Sequence, residues 1–204
     1  ANTINAVKLF TNTGSQNIRY RIYADNGCTG DTTKTITISE SPTASFIITG
    51  APFCEGKPIT LTSAASGISS WNWELGNTTS ITVPPFTHSF STGTYSVKLV
   101  AKTASGCLSD TAEQNITIYP TPVVNAGADK TIRAGSSVTL DAAVTPAGDH
   151  NFSWSPSLYL DAPAILNPVS APLVSTSYTI RVVDRQSGCS GEDDVTVTVI
   201  SELF

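Results

Sequence analysis

The fold is decided by one stretch of sequence, YTIRVVDRQSGCSGEDDVTVTVI at residues 178–200. Apolar and polar residues alternate on both sides of a Ser-Gly-Cys turn, which is the pattern of two antiparallel strands joined as a hairpin. The pattern occurs twice earlier, as YSVKLVAKTASGCLSDTAEQNITI at residues 95–118 and as IRYRIYADNGCTGDTTKTITI at residues 18–38. Three copies of one closing hairpin predict a repeat protein.

The spacing of the copies sets the size of the repeat. Cys28 and Cys107 are 79 residues apart, and Cys107 and Cys189 are 82 apart, which is about the length of a seven-stranded sandwich domain. Proline-bearing linkers at Pro42 and 120–122 fall between the copies. We predict three segments: the C-terminal part of a truncated repeat at 1–40, a complete repeat at 41–120 and another at 121–204.

The first segment is half as long as the others, so we expect the chain to begin inside a domain. Residues 16–38 reproduce only the closing hairpin, and two strands cannot bury enough apolar surface to fold alone. We expect this hairpin to pack against strands from upstream of Ala1, or else to be mobile or docked elsewhere.

Composition supports an all-β fold and excludes several functions. Charged residues make up 13% of the chain and the net charge is −5, while β-branched residues fill the short apolar runs, as strands prefer. No cluster of Lys and Arg could hold a nucleic-acid backbone. No apolar run reaches the roughly 18 to 20 residues of a membrane-spanning helix, so we expect a protein that is not membrane-embedded.

The repeat register also suggests a disulfide. Cys54 begins the early strands of the second repeat and Cys107 lies in its last hairpin, so we predict that they pair. The equivalent partner of Cys28 would lie upstream of Ala1. Cys189 is left as a buried free thiol, or as the partner of Cys28 or of another molecule.

The second repeat resembles the polycystic-kidney-disease (PKD) family of immunoglobulin-like modules. The stretch WNWELGN at 71–77 looks like the family's W-x-F-G-D-G, and residues 87–99 look like its H-x-Y…G-x-Y-x-V-x-L. Leu75 and Asn77 depart from the family's phenylalanine and aspartate. The resemblance covers residues 42–119 and implies tandem immunoglobulin-like (PKD-type) β-sandwich domains.

The third repeat is similar to PKD-like modules of large surface proteins in bacteria that use type IX secretion, gliding-associated proteins among them. The similarity covers residues 122–200 and rests on NAGAD at 125–129, WSP at 154–156 and Asn167-Pro168. It implies an extracellular, cell-surface stalk or adhesin whose partners are other surface or secretion-system proteins, or extracellular glycan. The alternative function is an accessory substrate-binding module of a secreted polysaccharide- or protein-degrading enzyme.

Candidate sites are few, and we expect neither catalysis nor a cofactor. A calcium site would use Asp129, Asp141 and Asp184, because Ca²⁺ takes several oxygen ligands. The two histidines lie in no known catalytic motif. Thr32 and Thr111 follow aspartates in short motifs resembling the O-glycosylation acceptor of the same bacterial group.

The three tryptophans allow two interpretations. They could form an aromatic platform for sugars, but alternation favours Trp73 and Trp154 in the cores, with Trp71 on the same face as Trp73.

Overall fold

A computed structural model describes residues 7–63 and 65–200 of the chain. These residues form strands, turns and irregular segments, and the predicted all-β class is confirmed. Within the described part, no helix has the length and apolar character needed to cross a membrane. The first six residues of the predicted segment 1–40 and the last four of the segment 121–204 lie outside the described residues.

The chain divides into two compact units, which interleave along the sequence. One unit comprises 1–46, 63–84 and 97–114, and the other comprises 47–62, 85–96 and 115–204. The repeat borders predicted at 40 and 120 stay a prediction.

The first two strands form a two-stranded antiparallel sheet, β1 (Gly14–Tyr23) and β2 (Thr29–Ile38). Alternation places Ile18, Tyr20 and Ile22 on one face, where they are 40%, 60% and 54% exposed. On the opposite face, Arg19 and Arg21 both form ion pairs with Asp31. The apolar face of this hairpin is therefore uncovered.

Seven strands follow in the region of the second repeat. They are β3 (Phe46–Thr49), β4 (Pro58–Ser63), β5 (Ile68–Leu75), β6 (Thr78–Ser80), β7 (Phe86–Ser89), β8 (Gly93–Thr103) and β9 (Ala112–Ile118). One sheet has the order β3-β4-β7 and the other has the order β6-β5-β8-β9. Buried positions of β5 and β8 alternate with more accessible ones, as the sequence pattern predicts.

Eight strands follow between residues 123 and 200. They are β10 (Val123–Asn125), β11 (Lys130–Arg133), β12 (Val138–Thr139), β13 (Ala143–Thr145), β14 (His150–Ser155), β15 (Val169–Ser170), β16 (Thr176–Asp184) and β17 (Ser190–Ile200). The main sheet has the order β11-β17-β16-β14, and β11 runs parallel to β17. Its core is continuous and includes Trp154, Tyr178, Ile180 and Val195.

Candidate functional site: the glycine-cysteine turns

Three turns of similar backbone geometry carry Cys28, Cys107 and Cys189. We call them the glycine-cysteine turns; they comprise residues 24–28, 103–107 and 184–189. In each, the amide of the first residue donates to the cysteine carbonyl, at 2.9, 3.0 and 2.9 Å. The glycine before each cysteine has φ of 81°, 92° and 76°, a left-handed conformation that other residues rarely adopt. The glycine is thus a requirement of the turn.

Asp184 organises the third turn. Its Oδ1 accepts hydrogen bonds from the Ser187 hydroxyl at 2.7 Å and from the Ser187 amide at 2.8 Å. These bonds, with a smaller contribution from His150, lower the pKa of Asp184 below its ordinary value. The Ser187 hydroxyl oxygen also accepts from the Cys189 amide at 3.2 Å. The ionised carboxylate therefore fixes the turn that presents Cys189.

The thiol presented by this turn is bonded to Cys54. The sulfur atoms are 2.11 Å apart, and the Cα atoms are 5.7 Å apart. The predicted pairing of Cys54 with Cys107 is therefore wrong: Cys107 is a half-buried free cysteine and Cys28 an exposed one. The prediction of a buried free thiol at Cys189 is wrong as well, because its sulfur is bonded to Cys54, 135 residues earlier in the chain.

The length of β9 explains why Cys54 and Cys107 are not bonded to each other. Cys107 precedes this strand, whereas Cys54 forms a backbone bridge with Tyr119, which directly follows it. Seven strand residues extend about 23 Å at roughly 3.3 Å each, and bonded cysteines have Cα atoms within about 7 Å. Sequence register equates positions between repeats, but it does not say which end of the sheet each position occupies.

A serine, an aspartate and a histidine meet at the third turn, but not in the order that nucleophilic catalysis needs. The His150 Nε2 lies 3.9 Å from Asp184 Oδ2, and Ser187 bonds to the other oxygen of the same carboxylate. In a hydrolase triad the imidazole lies between serine and carboxylate and takes the serine proton. Here the carboxylate lies between the other two, so His150 does not activate Ser187.

A small cavity adjoins this cluster. It encloses about 90 Å³ and is lined in part by Tyr119, Pro120, His150 and Asp184. Sites for small molecules usually measure about 300 to 1,000 Å³. The cavity is therefore smaller than a typical substrate pocket.

The three aspartates proposed for calcium have separate partners. Asp129 Oδ1 accepts from the Thr196 amide at 2.8 Å, and Asp141 Oδ2 pairs with Lys130 Nζ at 2.5 Å. Asp184 accepts hydrogen bonds from Ser187 within the third glycine-cysteine turn. Among residues 7–63 and 65–200, no three His, Cys, Asp or Glu side chains are placed to hold a metal ion. The structure does not bring the predicted ligands together.

The two glycosylation candidates are exposed threonines. Thr32 lies in β2 opposite Tyr20, and Thr111 lies one residue before β9. Their modification stays a prediction.

Two of the tryptophans are core residues, as alternation predicts. Trp73 is fully buried, its Nε1 donates to the Thr82 carbonyl at 3.1 Å, and its ring meets Phe46 edge-on at 5.3 Å. Trp154 is 3% exposed and its Nε1 donates to the Ile165 carbonyl at 3.1 Å. Neither ring is available to stack on a sugar.

Residues 39–118 match the family described as PKD domain. This PKD-like module contains Cys54, Cys107 and Trp73, and domains of the matched family are typically non-catalytic. The predicted fold class of immunoglobulin-like β-sandwich domains is confirmed. No curated protein matches the chain.

Several solved structures are similar to this chain. The PKD1 domain of the Vibrio cholerae metalloprotease PrtV is 29% identical over 39% of this chain and 99% of its own, with a TM-score of 0.34. The fibronectin(III)-like modules of Clostridium thermocellum CbhA are 15% identical over 77% and 95%, with a TM-score of 0.38. Three N-terminal domains of the bacteriophage RB49 capsid protein Hoc are 11% identical over 90% and 88%, with a TM-score of 0.43.

Proposed function

We propose that this chain is a non-catalytic spacer of a secreted surface protein, in which successive β-sandwich modules are tied to one another by disulfide bonds. The observation that carries the proposal is the bond between Cys54 and Cys189, which belong to successive predicted repeats. A bond inside one module strengthens that module alone. A bond between modules limits how far the chain extends when it is pulled, which is the property that a stalk needs.

The same bond supports an extracellular location, because structural disulfides persist in oxidising compartments. The surface of a bacterial cell is the location we propose, with type IX secretion as the route of export, on the resemblance of residues 122–200. The partners we propose are other surface or secretion-system proteins, or extracellular glycan. Calcium is not part of the proposal.

Absence of catalysis is supported by the chemistry of the third turn. Where Ser187, Asp184 and His150 gather, the carboxylate lies in the middle, and the adjoining cavity is small. We expect the purified chain to hydrolyse neither peptides nor polysaccharides.

Stretching single chains between surface-bound handles tests the spacer role. The bond encloses a sequence separation of 135 residues. At about 3.4 Å per extended residue, the fully unfolded chain should be about 46 nm shorter than one without the bond. The double variant Cys54→Ser/Cys189→Ser should regain that length, and the matched control Cys28→Ser/Cys107→Ser should not. Equal lengths for the wild type and the first variant would contradict the proposal.

The competing function is an accessory module that delivers a substrate to an attached enzyme. Such a module raises the hydrolysis rate of the enzyme on insoluble substrate, whereas a spacer leaves the rate unchanged. A chain fused to a catalytic domain, compared with the domain alone, distinguishes the two. An increase in rate that disappears when exposed aromatic residues are replaced would favour the accessory module.

A further inference from the structure

The surroundings of the bond between Cys54 and Cys189 recur in part around Cys107. Cys54 lies beside the end of the closing hairpin of its own repeat. The Glu55 amide donates to the Tyr119 carbonyl at 2.8 Å, and the Tyr119 amide donates to the Phe53 carbonyl at 2.9 Å. Tyr119 is the residue that directly follows β9. Cys189 is therefore bonded to a cysteine that lies beside Tyr119, at the end of β9.

Ser39 occupies the equivalent place one repeat earlier. It directly follows β2, whose sequence Thr-Ile-Thr-Ile matches Asn-Ile-Thr-Ile at the end of β9. The thiol of Cys107 lies 3.9 Å from the Ser39 carbonyl oxygen, to which it donates. Cys107 thus approaches the end of β2, next to which a counterpart of Cys54 would lie.

The turn that carries Cys107 resembles the turn that carries the disulfide-bonded Cys189. The Thr103 amide donates to the Cys107 carbonyl at 3.0 Å, as the Asp184 amide does to the Cys189 carbonyl at 2.9 Å. In both turns the cysteine amide donates to a hydroxyl oxygen. The Cys107 amide donates to Thr103 Oγ1 at 3.1 Å, and the Cys189 amide donates to Ser187 Oγ at 3.2 Å. The two turns therefore share their backbone hydrogen bond and a hydroxyl acceptor for the cysteine amide, and the thiol of one of them is bonded.

The hairpin of β1 and β2 indicates where the missing partner belongs. Its face with Ile18, Tyr20 and Ile22 is exposed, and a two-stranded sheet is at best marginally stable alone. Further strands of the same repeat would cover this face. The bonded pair has a sequence separation of 135 residues, and the same count back from Cys107 reaches a position before residue 1.

We propose that Cys107 forms a second disulfide between modules, with a cysteine that stands in the preceding repeat where Cys54 stands in the PKD-like module. The occupant of the site is an upstream segment of the same polypeptide. The two thiols lose two protons and two electrons as the sulfur–sulfur bond forms. The electrons reduce the disulfide of a thiol–disulfide oxidoreductase to a dithiol by exchange. Successive modules would then be joined by a series of equivalent bonds.

A peptide map of the full-length secreted protein tests this inference. Free thiols are alkylated, and the protein is digested with trypsin without reduction. The four cysteines of the present chain fall on different peptides, 22–34, 35–98, 103–130 and 186–204. We expect peptide 103–130 to be linked to a peptide from upstream of residue 1, and peptide 35–98 to be linked to the tryptic peptide that begins at residue 186. Reduction should release both pairs.

Two variants identify which cysteine forms the link to the upstream peptide. Cys107→Ser should expose one upstream thiol to alkylation, while the matched control Cys28→Ser should leave the link of peptide 103–130 intact. Alkylated Cys107 in the full-length protein would overturn the inference, as would a link to Cys28, to Cys54 or to a second copy of the chain. The spacer role is judged separately by chain extension, which depends on the bond of Cys54 and is unaffected by these outcomes.

Discussion

At the scale of the residue, Asp184 stabilises the turn of Cys189 only while it is ionised. Its hydrogen bonds with Ser187 lower its pKa from the ordinary value of 3.8. A lowered pKa means that the contribution to stability is fully present above that ordinary value and is lost as the pH falls through the folded-state value. Asp184→Asn should therefore lower the melting temperature slightly at pH 7, and the difference from wild type should shrink toward pH 3.

Thermal unfolding followed by circular dichroism at the two pH values measures this effect. Asp110→Asn, which changes an exposed aspartate, is the matched control and should behave as wild type at both. An Asp184→Asn difference that grows on acidification would show that the carboxylate has another role.

At single residues, burial could be predicted from the sequence, whereas specific contacts could not. Alternation correctly placed Trp73 and Trp154 in cores, because the side chains of a strand point alternately to its two faces. It could not identify the partner of Cys54, which depends on where a loop lies at the end of a sheet. It also gave no sign that Asp184 bonds to Ser187, since that contact follows from the shape of the turn.

At the scale of the element, β17 passes close to the segment that leads into β10. A Cβ atom on Gly191 would lie 2.1 Å from the Pro122 carbonyl oxygen and 3.1 Å from Val124 Cγ2. Backbone cannot yield as a flexible side chain does, so Gly191→Ala should cost about 3 kcal/mol of unfolding free energy. Urea unfolding followed by tryptophan fluorescence measures the loss.

The chain offers a matched control for this substitution. A Cβ atom on Gly30 in β2 would lie 3.5 Å from its nearest neighbour, Ile22 Cγ1, which is ordinary contact. Gly30→Ala should leave the urea midpoint nearly unchanged. Equal effects of the two substitutions would mean that β17 does not pass as close to Pro122 as the structure shows.

The hairpins were the elements best predicted from sequence. Their strands were found because each alternates around a glycine-cysteine turn, and β1, β2, β16 and β17 follow the predicted pattern. The short strands β12 and β15 have only two residues each, too few for a period to be read from sequence. Their pairing is set by the surrounding loops.

At the scale of the whole molecule, the bond between Cys54 and Cys189 restricts the unfolded chain over a separation of 135 residues. The chain-entropy account assigns about 5 kcal/mol to a loop of that length, less any strain in the folded state. Cys54→Ser/Cys189→Ser should therefore unfold at markedly lower urea concentration than wild type. Cys28→Ser/Cys107→Ser should keep the wild-type midpoint, because neither of those cysteines is bonded in the structure.

Cys54 is bonded to Cys189, 135 residues further along the chain. Mass spectrometry of the non-reduced tryptic digest of the 204-residue chain tests it most directly. The structure predicts one species in which peptide 35–98 is linked to peptide 186–204, with Cys28 and Cys107 alkylated. A species in which peptide 35–98 is linked to peptide 103–130 would show instead that Cys54 is bonded to Cys107.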